Sequence, residues 1–162
     1  MSMIGRFERI DEDRAERLSV DPAEQAAFFE RGGEPGPEML DVDKAWHAIH
    51  FSLTGEAWPN EDLLSMAIFG GEPFGDDLGY GPPRMLHTAD VRSVAEALAA
   101  VDPPTIASQL DMARLESAEV YPGAWLREEA SNRDYIAHHL QRLRAFYSEA
   151  AVRNEAVILW LA

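Results

Sequence analysis

Asp43, His47, His50 and Thr54 recur at spacings of 4, 3 and 4 within the segment Leu40–Gly55. That interval lines side chains along one helix face. An imidazole one turn from a carboxylate titrates near neutral pH and can move protons, so the stripe has the ingredients of one wall of a ligand or substrate pocket. His-x-x-His also offers two nitrogens to a metal on the same face, with Asp43 as a third donor. A third reading is purely structural: Asp43 accepts from His47, and His50 bonds a backbone carbonyl beneath Trp46. The same segment carries Lys44, the only lysine among 14 basic residues.

The second concentration of chemistry is Gly79-Tyr80-Gly81-Pro82-Pro83-Arg84. Glycines on both sides of Tyr80 permit close backbone approach, and the two prolines stiffen the path into Arg84. A guanidinium held this way can take a carboxylate or another anion bidentately, or can pair with Asp41, Asp43 or an acidic residue of its own loop. Either outcome places Arg84 near the 41–54 segment. The glycines of 70–81 do not make a phosphate cradle, since no Gly-Lys-Ser/Thr follows and Glu72, Asp76 and Asp77 would repel a phosphate. EF-hand spacing and a Gly-x-Ser-x-Gly nucleophile elbow are also missing.

These residues need elements to hold them. Met3 to Ile10 alternates as a strand, and a short helix to about Leu18 follows the acidic cluster 11–13. Asp21-Pro22 caps and starts another helix, which Gly32-Gly33 should break. Val42, Trp46, Ile49 and Leu53 give the 41–54 segment an apolar stripe beside its polar one, and Gly55 is a natural stop. A short helix is expected over 60–69, an irregular loop over 70–83 and a short strand over 84–87. Thr88 is expected to cap the next helix, and Asp102-Pro103 the one after it. The longest helix is predicted over 132–152, with Ser131 and Asp134 as a capping box; His138 and His139 lie on it as structural residues. Ala156 to Leu161 is apolar at every position, the pattern of a strand covered on both faces.

Helices dominate, and strands stand at both ends. The reading is an α+β fold: one compact domain over residues 1–162 with a small mixed sheet that includes the N- and C-terminal strands. A net charge of −15 argues against nucleic acid and against anionic membrane surfaces, and suits a basic protein partner or simple solubility. The absence of cysteine removes disulfides, thiolate nucleophiles and cysteine metal sites. No stretch is apolar for long enough to be a signal peptide or membrane span, so a cytoplasmic location is expected. No motif calls for a cofactor or a metal.

The string Leu40-Asp41-x-Asp43-Lys44-x-Trp46-x-x-x-His50-x-x-Leu53-Thr54-Gly55 resembles the YfbM-like family of small bacterial proteins, a domain of unknown function. Met3-Ile4-Gly5, Gly70-Gly71-Glu72-Pro73, Gly79-Tyr80-Gly81-Pro82-x-Arg84, Tyr121-Pro122 and Phe146-Tyr147 extend the resemblance over nearly the whole chain. It implies a single α+β domain and no established activity, substrate or cofactor. Asp43, Lys44, Trp46, His50, Thr54, Tyr80 and Arg84 sit on its motif positions and are the candidate ligand-binding residues. Two functions follow as expectations. One is a binding domain for a partner protein or a small polar or anionic ligand. The other is a hydrolase or group-transfer enzyme using His50, Asp43 and Arg84 in one pocket.

Overall fold

A computed structural model describes residues 2–31 and 36–162. Its sheet has five strands in the order β2-β1-β5-β4-β3: β1 Gly5–Ile10, β2 Met39–Asp41, β3 Glu72–Pro73, β4 Arg84–Leu86 and β5 Ala156–Leu161. The fold is α+β, and the first and last strands are direct neighbours, with Gly5 opposite Leu161 and Ile10 opposite Ala156. Every pairing is antiparallel, where a mixed sheet was expected. β5 lies in the middle, which explains a strand with no polar residue: each face meets a core.

On one face Phe7, Leu86, Val157 and Leu159 pack against helices α3 (Trp46–Thr54), α5 (Thr88–Ala99) and α8 (Glu129–Val152), with the short α4 (Met66–Phe69), α6 (Pro103–Gln109) and α7 (Met112–Ser117) between them in sequence. On the other, Ile10, Met85, Ala156 and Ile158 meet α1 (Glu12–Val20) and α2 (Pro22–Glu30). A third cluster joins Ala48 and Phe51 of α3 to Met112 and Leu115 of a short helix, Met112–Ser117, and to Trp125 and Ile136. Helix α3 is therefore wedged between two cores, and its residues 46–51 are all buried. Its polar stripe is accordingly buried at His47 and His50, and Thr54 alone, at the end of the helix, is partly exposed.

Several boundaries differ from expectation. Residues 39–41 are a strand, because Leu40 pairs with Phe7, and a 3₁₀ turn at Asp43–Ala45 precedes α3. Asp43 takes a left-handed conformation (φ 51°) and is off the helix. The 60–69 segment is a 3₁₀ turn, Leu63–Ser65, followed by one helical turn, Met66–Phe69. Helix α5 is capped from outside, by Glu12 of α1 accepting from the Thr88 N–H, so Thr88 is not itself the cap. Helix α8 begins at Glu129, so Ser131 and Asp134 lie within it and form no capping box. Gly55 ends α3 as expected, at φ 75°. The Gly32-Gly33 break falls outside the described residues. Among the described residues no helix is long and apolar enough to cross a membrane.

Gly5 fixes how closely β1 approaches α3. A Cβ on it would lie 2.8 Å from Trp46 Cβ and 2.9 Å from Val42 Cγ2, neither of which is a flexible side-chain end. Gly5→Ala is expected to cost about 1–3 kcal/mol in urea unfolding through overpacking, with a shift in tryptophan emission.

Candidate functional site

The seven candidate residues do not converge as a set. His50 is fully buried. Its Nδ1–H donates to the Glu56 carbonyl at 2.9 Å, and its Nε2 accepts from the Ser65 hydroxyl at 2.9 Å. Burial lowers its pKa to about 4, and the ring is neutral at pH 7. Both nitrogens are engaged within the protein, so His50 has no free position for acid/base work. Asp43 accepts from Tyr135 Oη at 2.8 Å, not from His47. Burial, then this bond, raises the Tyr135 pKa well above the phenol range. Lys44 is anchored through its backbone N–H to the same Tyr135 oxygen. Thr54 closes the end of α3, donating to the His50 carbonyl and accepting from the Glu56 N–H. None of these four lines the cleft that holds the other three.

That cleft lies at one end of the sheet, where β1 starts, β5 finishes and β4 starts. It has two adjoining parts that share Trp46, Phe69, Tyr80 and Leu161 as walls. The inner part is a cavity of about 150 Å³ with Gly5, Phe7, Ile68 and Arg84 around it. The outer part is a broad cleft of about 790 Å³ whose further walls include His47, Trp58 and Tyr121. Trp46, Tyr80 and Arg84 do meet, therefore, beside the first turn of α3.

The aromatic wall is fixed from behind. Trp46 Nε1 donates to the Met3 carbonyl at 3.1 Å, and its ring stacks on His47 at 4.8 Å and 5° and on Tyr121 at 5.8 Å and 23°. His47 Nε2–H donates to the Ala57 carbonyl at 2.7 Å, and its Nδ1 accepts from the Tyr121 N–H at 2.9 Å. These bonds set one neutral tautomer, and burial lowers the His47 pKa. With both rings of His47 and His50 occupied, the Asp43–His47–His50 metal reading loses its donors. Among the described residues no three His, Asp or Glu side chains stand close enough to share a metal ion. Trp58 closes the outer part, its ring 5.4 Å from that of His47, and is 69% exposed.

Tyr80 is held by its loop. Asp77 Oδ1 accepts from the N–H groups of Gly79 and Gly81, at 2.6 and 3.0 Å. Both glycines have positive φ, 110° and 103°, which a side chain would oppose. Arg84 Nε donates to the Gly70 carbonyl at 3.2 Å; no carboxylate among the described residues pairs with its guanidinium. Two acidic side chains, Glu116 and Glu119, edge the outer cleft, and among the described residues no lysine or arginine lines it. Glu116 accepts from the Trp125 N–H at 2.8 Å, and neither glutamate has an ion-pair partner among the described residues.

Trp58, Glu116 and Glu119 escape sequence reasoning because they come from loops and a helix end without periodicity. Tyr121 and Pro122, carried only by the family resemblance, line the cleft.

Residues 1–160 match the family described as Domain of unknown function (DUF1877). The chain belongs to the DUF1877 family. The DUF1877 fold is also that of a solved structure, YfbM from Escherichia coli, a protein of unknown function. It is similar to this chain at 25% identity and a TM-score of 0.76, with 99% of this chain and 100% of that chain covered. Among curated proteins there is no match. For this DUF1877 chain, the cleft geometry is thus the main guide to function.

Proposed function

We propose that this protein is a binding domain, acting in the cytoplasm, whose outer cleft takes a cationic group. The observation that carries the reading is the composition of one surface: Trp46, His47, Trp58, Phe69, Tyr80 and Tyr121 line it, Glu116 and Glu119 edge it, and among the described residues no lysine or arginine lines it. Aromatic rings attract an ammonium or guanidinium through their quadrupole, and nearby carboxylates add to that attraction. The neutrality of His47 matters here, because an imidazolium in the same wall would repel the ligand. The overall charge of −15 draws cations toward the surface before contact. The wall is held rigid by hydrogen bonds to Met3, Ala57 and the Tyr121 backbone, so little side-chain freedom is lost on binding.

The hydrolase or group-transfer alternative is weaker on the same geometry. Its acid/base, His50, is sealed away from Arg84, and Asp43 faces Tyr135.

Tetramethylammonium is the simplest probe. Its titration is expected to change the fluorescence of Trp58, with affinity that weakens as salt rises. Trp58→Ala should weaken binding roughly tenfold, the effect of about 1–2 kcal/mol of cation–π attraction. Its thermal stability should stay near that of wild type, since the side chain is mostly exposed. Saturable binding that is unchanged in Trp58→Ala would place the cation elsewhere.

A further inference from the structure

The inner cavity specifies the other end of the ligand. Among the described residues Arg84 is the only charged side chain in its walls, which are otherwise mostly apolar: Phe7, Trp46, Ile68, Phe69, Leu159 and Leu161. Gly70 holds Arg84 at Nε, which leaves the two terminal nitrogens of the guanidinium with donors to offer. A half-buried cation beside apolar walls gains more from an incoming anion than the same pair would in water. Planar carboxylates match the guanidinium fork. A volume of about 150 Å³ accommodates a carboxylate and the carbon that bears it.

The Arg84 cavity opens beside the aromatic cleft. The two share Trp46, Phe69, Tyr80 and Leu161 as walls, so one molecule can occupy both without leaving the protein surface. Glu116 and Glu119 lie only on the outer part and Arg84 only on the inner part. The charges are therefore ordered along the site, negative protein groups outside and a positive one within. Resting on the cation reading above, we infer that the ligand is a small zwitterion: an ammonium or quaternary amine bound among the aromatic rings, joined by a short aliphatic chain to a carboxylate paired with Arg84. The shared aromatic walls contact the linking methylenes. A ligand with the opposite polarity would set its cation against Arg84 and its anion against the two glutamates, so the site also selects direction.

The test is calorimetric titration of the full chain with a series of ω-trimethylammonio carboxylates in which one to five methylenes separate the charged groups. Tetramethylammonium, and the methyl ester of each acid, serve as references. One chain length is expected to bind at least about tenfold tighter than tetramethylammonium, the scale of one charge-assisted hydrogen-bonded pair. Its methyl ester should lose that gain on the wild-type protein, a comparison that does not depend on any variant folding. Arg84→Met should abolish the gain of each acid over its own ester, and Arg84→Lys should recover only part of it. If tetramethylammonium binds but no acid exceeds its own ester, the zwitterion inference is wrong and the cation reading stands. If neither tetramethylammonium nor any acid binds, both fall together.

Discussion

Trp46→Ala is expected to lower the unfolding free energy by about 3–5 kcal/mol and to abolish the response to both halves of a zwitterion at once. The stability loss has two sources. The indole is 4% exposed in the main core, so its removal leaves a cavity between α3 and the start of β1. It also strips the Met3 carbonyl of its donor. The binding loss follows because this ring is a wall common to both parts of the cleft and the surface on which His47 and Tyr121 stack. Trp46→Phe keeps much of the volume but not the hydrogen bond, and should fall between. Chemical denaturation with calorimetric titration of the folded fraction checks both effects. A Trp46→Ala protein within about 1 kcal/mol of wild type would mean that this residue does not join the cleft to the core.

The second large effect is on stability at mildly acid pH. His50 has a folded-state pKa lowered from 6.5 to about 4, with burial the main cause. The unfolded chain therefore binds a proton that the folded chain refuses, and stability falls as pH drops below 6.5. The loss is about 2 kcal/mol by pH 5 and approaches about 3 kcal/mol once pH passes below the folded value. Burial also lowers the pKa of His47 and of His139, and these act in the same direction. Urea midpoints measured between pH 7 and pH 5 should fall accordingly. In His50→Gln the protein should be weaker at pH 7, because the Glu56 carbonyl and Ser65 hydroxyl lose their fitted partner, yet the slope with pH should shrink. An unchanged slope would show that His50 titrates near its ordinary value and is not sealed.

Much of the scaffold was legible in the sequence for reasons that are local. Gly55 stops α3 because only a residue tolerant of positive φ suits that turn. The apolar run 156–161 had to be a strand with two covered faces, and it is the central one. The start of α3 was not legible. Asp41-Val42-Asp43 looks like a helix cap, but the pairing of Leu40 and Asp41 with Phe7 and Arg6 takes those residues into the sheet first. A spacing pattern records which side chains share a face, not what covers that face. The covering chain over His47 and His50 is residues 56–65, a segment with little periodic signal of its own. Most of the stripe that promised chemistry is buried framework, while Trp46, Tyr80 and Arg84, distant in sequence, share the walls of one cleft because the end of the sheet brings their elements together.

The sheet order has a consequence for how the chain matures on the ribosome. β5, the middle strand, follows every other described element in the sequence, and both of its neighbours, β1 and β4, must wait for it. Until it emerges, those two strands have unsatisfied edges where it will insert, and closing Gly5 against Leu161 brings together residues far apart in sequence. Synthesis should thus pass through an interval in which β1–β2 and β3–β4 can pair but the two halves of the sheet are not joined, and that nascent state is where chaperone capture and premature association will concentrate.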